Sequence, residues 1–129
     1  MELTIKDKTY PLKASFAFLR KIESKSVKES SGEKIDIGLA NTVIQIRDAG
    51  DMRELVDLVL ALNTGQSPKL EKGIVENYVE ECEDIEGFVN EVLDFLFAAN
   101  VCKLRLKKFG LTPTPENEEE KEEKPDIKA

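Results

Sequence analysis

Among 129 residues there is no histidine and no tryptophan, and there are only two cysteines. The missing imidazole removes Ser-His-Asp and Cys-His triads and every histidine-based metal site. Cys82 and Cys102 fall outside any CxxC spacing. A structural zinc would have to recruit carboxylates for its other positions, an unusual ligand set. The two thiols read instead as small buried hydrophobes in a reducing compartment. Gly65, Gly73 and Gly87 are scattered and none follows a strand, so no loop cradles a phosphate. Asp84 to Asn90 lacks the alternating oxygen ligands of an EF-hand. No apolar run approaches the ~18 residues of a membrane span. The opening Met-Glu-Leu-Thr-Ile lacks the positive-then-apolar pattern of a secretion signal. Carboxylate pairs do occur, Glu80 with Glu83 and Glu91 with Asp94, but they flank apolar stripes and read as a solvated face. Without a poised acid or base, the expectation is a cytosolic protein that is not an enzyme and needs no cofactor or metal.

What is present is charge and aliphatic surface. The chain is 40% hydrophobic and 35% charged, with net charge −7, which suits one globular domain with a closed core. This balance argues against a nucleic-acid surface. The acidity is uneven: residues 113–129 hold seven acidic side chains and three lysines, net −4, leaving −3 on residues 1–112. After Leu111, Thr-Pro-Thr-Pro and the Glu/Lys run cannot bury enough apolar surface to order themselves. The expected organisation is a helical domain over 1–111 and a disordered acidic tail over 112–129.

Residues 2–5 and 9–12 alternate polar and apolar around Lys6-Asp7-Lys8, predicting a short hairpin with Pro11 at a strand end. A two-stranded ribbon is marginal alone and must lie on helices. From Ala14 to Ser24 the spacing turns helical, with Phe16, Leu19 and Ile22 at threes, Phe18 beside them and Ser15 as a cap. Ser24 to Lys34 is polar with Gly32 and reads as a mobile loop. Helical spacing resumes from Ile35 to Ala49 through Leu39, Val43 and Ile46, with Ile44 alongside; Gly50 ends it. Asp51 then caps a strongly amphipathic helix that stops at Asn63-Thr64-Gly65. Ser67-Pro68 is the expected start of the next helix, which carries Leu70, Ile74, Val75, Tyr78 and Val79. Asp84 caps the last. The fold class is mainly α: a bundle of about five helices with an N-terminal β-hairpin.

The last helix carries more apolar residues than one face holds. Ile85, Phe88, Val89, Val92, Leu96 and Ala99 form one stripe, while Leu93, Phe95, Phe97, Cys102 and Leu104 fall outside it. Such a helix needs several neighbours, which points either to a partner or to a central, buried place in the bundle. Asn100, Lys103 and Lys107 lie on the stripe that Ile85 begins, so the core face does not continue past about Asn100. Cys102, Leu104 and Leu106 alternate with Lys103, Arg105 and Lys107, which fits a strand equally well and leaves residues 101–109 open. The candidate partner-binding residues are Phe88, Phe95, Phe97, Leu104, Leu106 and Phe109. The basic segment Lys103, Arg105, Lys107 and Lys108 adjoins the acidic tail, either as cations loosely screened by it or as a site for which tail and partner compete.

The opening Glu2-Leu-Thr-Ile-Lys-Asp-Lys-Thr-Tyr-Pro-Leu-Lys-Ala-Ser-Phe-Ala-Phe-Leu-Arg-Lys-Ile resembles that of small tail assembly chaperones of long-tailed phages and prophages of Gram-positive bacteria. The Leu55 to Gly65 helix, the Pro68 to Glu80 helix and Asp84-Ile85-Glu86 follow in the order of that family, over roughly residues 1–111. The resemblance implies a chaperone that coats the tape measure protein, a long helical chain prone to aggregate before the tail tube surrounds it. It also implies recruitment of tail tube protein, self-association into a homo-oligomer, residence in the host cytoplasm and absence from the mature virion. Many members of the family are made in a second, longer form by ribosomal frameshifting. A structural head–tail or tail completion protein is the alternative. An acidic DNA mimic fits less well, because over half the net charge lies in the tail.

Overall fold

The computed structural model describes residues 1–23, 27–30 and 32–113. The acidic segment from Thr114 onward lies outside the described residues, and Thr112 and Pro113 carry no helix or strand. Lys6 (φ 50°) and Asp7 (φ 68°) both adopt positive φ. They form the two-residue turn that joins strand β1 (Glu2–Ile5) to antiparallel β2 (Lys8–Pro11). Register places Leu3 opposite Tyr10 and Thr4 opposite Thr9. Leu3 and Tyr10 are buried, whereas the two threonine hydroxyls share a 3.0 Å hydrogen bond on the solvent side. The ribbon lies against helices as expected: the Lys13 N–H donates to the Leu62 carbonyl oxygen at 2.8 Å.

Helix α1 (Phe16–Glu23) starts where the Phe18 N–H donates to Ser15 Oγ at 3.1 Å. The segment read as a mobile loop contains a second hairpin, β3 (Val27–Ser30) with β4 (Glu33–Asp36), and Gly32 sits in its turn at φ 80°. Ile35 therefore belongs to a strand, and α2 begins only at Gly38, running to Arg47. Gly38 has a steric role there: a Cβ on it would collide with the Ile22 carbonyl oxygen and come within 2.8 Å of Glu23 Cα. Only glycine lets the start of α2 rest on the end of α1.

Asp51 caps α3 (Met52–Leu62), accepting from the Arg53 and Glu54 N–H groups at 3.0 and 3.4 Å. The next helix does not begin at Ser67-Pro68. Asn63 Nδ2 donates to the Pro11 and Pro68 carbonyl oxygens at 3.0 and 3.3 Å, and the Leu70 N–H donates to Asn63 Oδ1 at 2.7 Å. These bonds hold residues 66–70 outside any helix, with Leu70 plugged into the core. Helix α4 runs from Lys72 to Glu81. Asp84 caps α5 (Ile85–Ala98) by accepting from the Gly87 N–H at 3.0 Å.

Residues 100–108 are helical, forming α6 (Asn100–Lys108) after a break at Ala99, whose φ of −78° and ψ of 134° are extended. The break re-phases the chain. On a continuous helix Lys103 and Lys107 would meet the core; after the break Cys102 and Leu106 enter it instead, both fully buried. The core is one cluster with α3 at its centre, against α1, α2 and α4, while α6 packs on α5, α2 and α1. The apolar excess of α5 is partly met inside the chain: Leu93 is buried beside the stripe residues Phe88, Val92 and Leu96, and Phe95 and Phe97 pack partly on the core. No helix among the described residues is long and apolar enough to cross a membrane.

Two substitutions test this packing by urea denaturation. Asn63→Ala strands the Leu70 N–H and two carbonyl oxygens and should cost about 2–3 kcal/mol. Gly38→Ala should cost about 1–3 kcal/mol by forcing α1 and α2 apart. Unchanged midpoints in either case would contradict these contacts.

Candidate functional site

The six side chains proposed from sequence for partner contact separate into three groups. Phe88 (6% exposed) and Leu106 (0%) are core residues. Phe88 meets the Tyr78 ring edge-on, with centroids 5.1 Å apart, and Leu106 faces inward because of the break at Ala99. Phe95 and Phe97 are half-buried and pack against the core. Leu104 (61%) on α6 and Phe109 (38%), the residue that follows that helix, are exposed.

The sequence reading missed Phe16. It was assigned to the inner stripe of α1, but Phe18 and Ile22, one turn apart, take that position and leave Phe16 65% exposed. Ile44 is likewise exposed on α2. Phe16 and Phe18 lie about 200° apart around a helix, so both cannot face inward, and that spacing is the signal that could have identified Phe16.

Leu104 and Phe109 line a groove of about 530 Å³ together with Val101, Asn100, Arg105 and Lys108 of α6 and Leu19 of α1. Phe16 lies one turn before Leu19 on the same helix. Two features fix the walls. Arg105 Nη2 pairs with Glu23 Oε1 at 3.2 Å, tying the end of α1 to the middle of α6. The other is the end of α6: the Leu111 N–H donates to the Leu106 carbonyl at 3.0 Å and the Gly110 N–H to that of Lys107 at 2.9 Å. With Gly110 at φ 77° this is a Schellman motif, and Leu111 packs onto the core beneath it. The motif holds Phe109 at the lip of the groove. Arg47 Nη1 donates to the Thr112 carbonyl at 2.6 Å, fastening the following residues to α2.

No cluster of three or more His, Cys, Asp or Glu side chains able to hold a metal occurs among the described residues. The Cys102 thiol is buried beneath the groove; burial first, and then the Glu23 charge, push its pKa up to about 12. Cys82 is only half-buried. Iodoacetamide near pH 8 should therefore alkylate Cys82 and spare Cys102 until the chain is denatured; equal labelling in the native protein would contradict the burial. The unfolded thiol ionises near pH 9 and the folded one near 12. The contribution of Cys102 to stability is thus complete below pH 9 and falls away between pH 9 and about 12. Cys102→Ala should flatten that part of the alkaline stability profile.

No curated protein and no solved structure matches the chain. A family model, described as phage tail assembly chaperone protein, TAC, matches residues 2–110, the span from β1 to the glycine that closes α6. The groove, its ion pair and the exposed side chains of α1 and α6 all fall inside that match, and this chain belongs to the phage tail assembly chaperone family.

Proposed function

We propose that this chain binds the tape measure protein of a long-tailed phage or prophage of a Gram-positive host, keeps it soluble and helps bring tail tube protein to it. The observation that carries the reading is family membership over residues 2–110. The exposure of Phe16, Leu104 and Phe109 on a chain of net charge −7 is consistent with it. A holdase must offer apolar side chains to a client without precipitating, and surplus charge provides the repulsion that prevents this. The work is contact rather than catalysis, carried out in the host cytoplasm as a homo-oligomer that exchanges self-association for client binding. Leu104 on α6 and Phe109 just after it are the contact residues, with Phe95 and Phe97 contributing where α5 meets solvent. Phe88 and Leu106 support that surface from within.

Co-expression with a phage tape measure protein should move that protein from the pellet to the soluble fraction, by about tenfold if the complex is of ordinary stability. Purified virions, analysed by mass spectrometry, should lack this chain. A pellet unchanged by co-expression would reject the reading, and stoichiometric presence in virions would favour a head–tail or tail completion protein. Phe95→Ser and Phe97→Ser together should lower the unfolding midpoint as well as client capture, because both rings pack partly on the core.

A further inference from the structure

We infer that the groove between α1 and α6 receives an amphipathic α-helix whose apolar stripe is flanked by acidic side chains. This deepens the preceding proposal and rests on it for the identity of the protein that supplies the helix.

The apolar part of the argument is geometric. Val101 and Leu104 stand one turn apart on α6, Leu19 faces them from α1, and Phe109 closes one end. Leu104 is 61% exposed, so most of its surface is left uncovered by the described residues. The groove runs between two helices, and α6 is nine residues long, about 13 Å. A helix laid along it would present side chains at i, i+3, i+4 and i+7 to a wall of that length.

Charge selects the kind of helix. Lys108 and Arg105, the latter already paired with Glu23, line the groove, and no carboxylate does. Lys103 and Lys107 are exposed on the same helix. The two clefts on α4 are of mixed sign: the one against the hairpin carries Lys6 and Lys8 beside Glu81 and Glu83, and the one against α3 carries Arg53 and Lys72 beside Asp57, Glu76 and Glu80. In a chain of net charge −7 this is a cationic face around an apolar floor. It would attract an acidic partner and repel a basic one.

Two other occupants fit less well. Residues 114–129 of the chain are acidic, but Ile127 is their one large aliphatic side chain, too little to fill the groove. Helix α4 of a second copy is acidic, yet its Val75 is committed to its own core.

The test uses the full chain and two fluorescent synthetic helices of about 18 residues with the same leucine stripe, one flanked by glutamate and one by lysine. Fluorescence anisotropy should show the glutamate helix binding about tenfold tighter at about 50 mM salt, with the preference shrinking as salt screens it. Leu104→Asp should weaken binding of the glutamate helix at least about tenfold while leaving the circular dichroism spectrum unchanged. Lys107→Glu with Lys108→Glu should reverse the preference. Equal affinity for the two helices, or indifference to Leu104→Asp, would overturn the inference. So would peptide binding that appears only after truncation beyond Pro113, which would make the tail the occupant. A Leu104→Asp chain that turns from oligomer to monomer with peptide binding intact would assign the groove to a second copy instead.

Pull-down of the tape measure protein separates the two proposals. If Leu104→Asp loses the peptide but still captures that protein, the groove is not the client site and the chaperone reading stands. If the wild-type chain captures none, the chaperone reading fails and the peptide data decide the groove alone.

Discussion

The architecture turns on one backbone event, the extended residue at Ala99. Before it, α5 lays Phe88, Val92, Leu93 and Leu96 into the core; after it, α6 does the same with Cys102 and Leu106 on a new phase. Without that change of phase the chain would drive Lys103 and Lys107 toward apolar neighbours, at a cost in desolvation. The break also determines what is left outside. With Cys102 and Leu106 turned inward, Leu104 and Lys108 must face the solvent side, where they form the groove with Leu19. Core and candidate surface are two results of one rotation.

The ion pair between Arg105 and Glu23 belongs to the same arrangement. Glu23 is buried at the end of α1, and the guanidinium from α6 lies 3.2 Å from its carboxylate. Such a pair contributes orientation more than net stability, because removing both charges from water costs about as much as their attraction returns. Its effect is to set the distance between the two helices that wall the groove. The Schellman closure at Gly110 and the Arg47 contact to Thr112 hold the far end in the same way.

What could be read from the sequence was mostly local. Ser15, Asp51 and Asp84 cap helices where their spacing indicated, since a cap needs only its own next turn. The first hairpin was legible from alternation, although Lys6-Asp7 is not the Asn-Gly or Asp-Gly pair that favours such a turn. The features that were not legible depend on distant groups. Asn63 keeps residues 66–70 from starting a helix by bonding to Pro11, Pro68 and Leu70. Val27 and Ile35 are the two β-branched aliphatics in a second hairpin that is otherwise charged or polar, so composition disguised it as a loop. Alanine is the strongest helix former, and nothing local marks Ala99 as a break. Only the misplaced phase of Asn100, Lys103 and Lys107 hinted at it. In the candidate surface, Leu104 and Phe109 were visible from sequence, whereas Phe16 was hidden among equally apolar neighbours.

The backbone contact between Gly38 and the end of α1 has a consequence for the arm that carries β3 and β4. Helix α1 ends at Glu23 and α2 begins at Gly38, and those two points touch. The intervening stretch is a detour whose ends are already joined, so its length is decoupled from the geometry of the helices on either side. Relatives could trim this excursion to a tight connection or expand it into a larger appendage with the bundle beneath undisturbed. Diversity among such chains is therefore free to accumulate there.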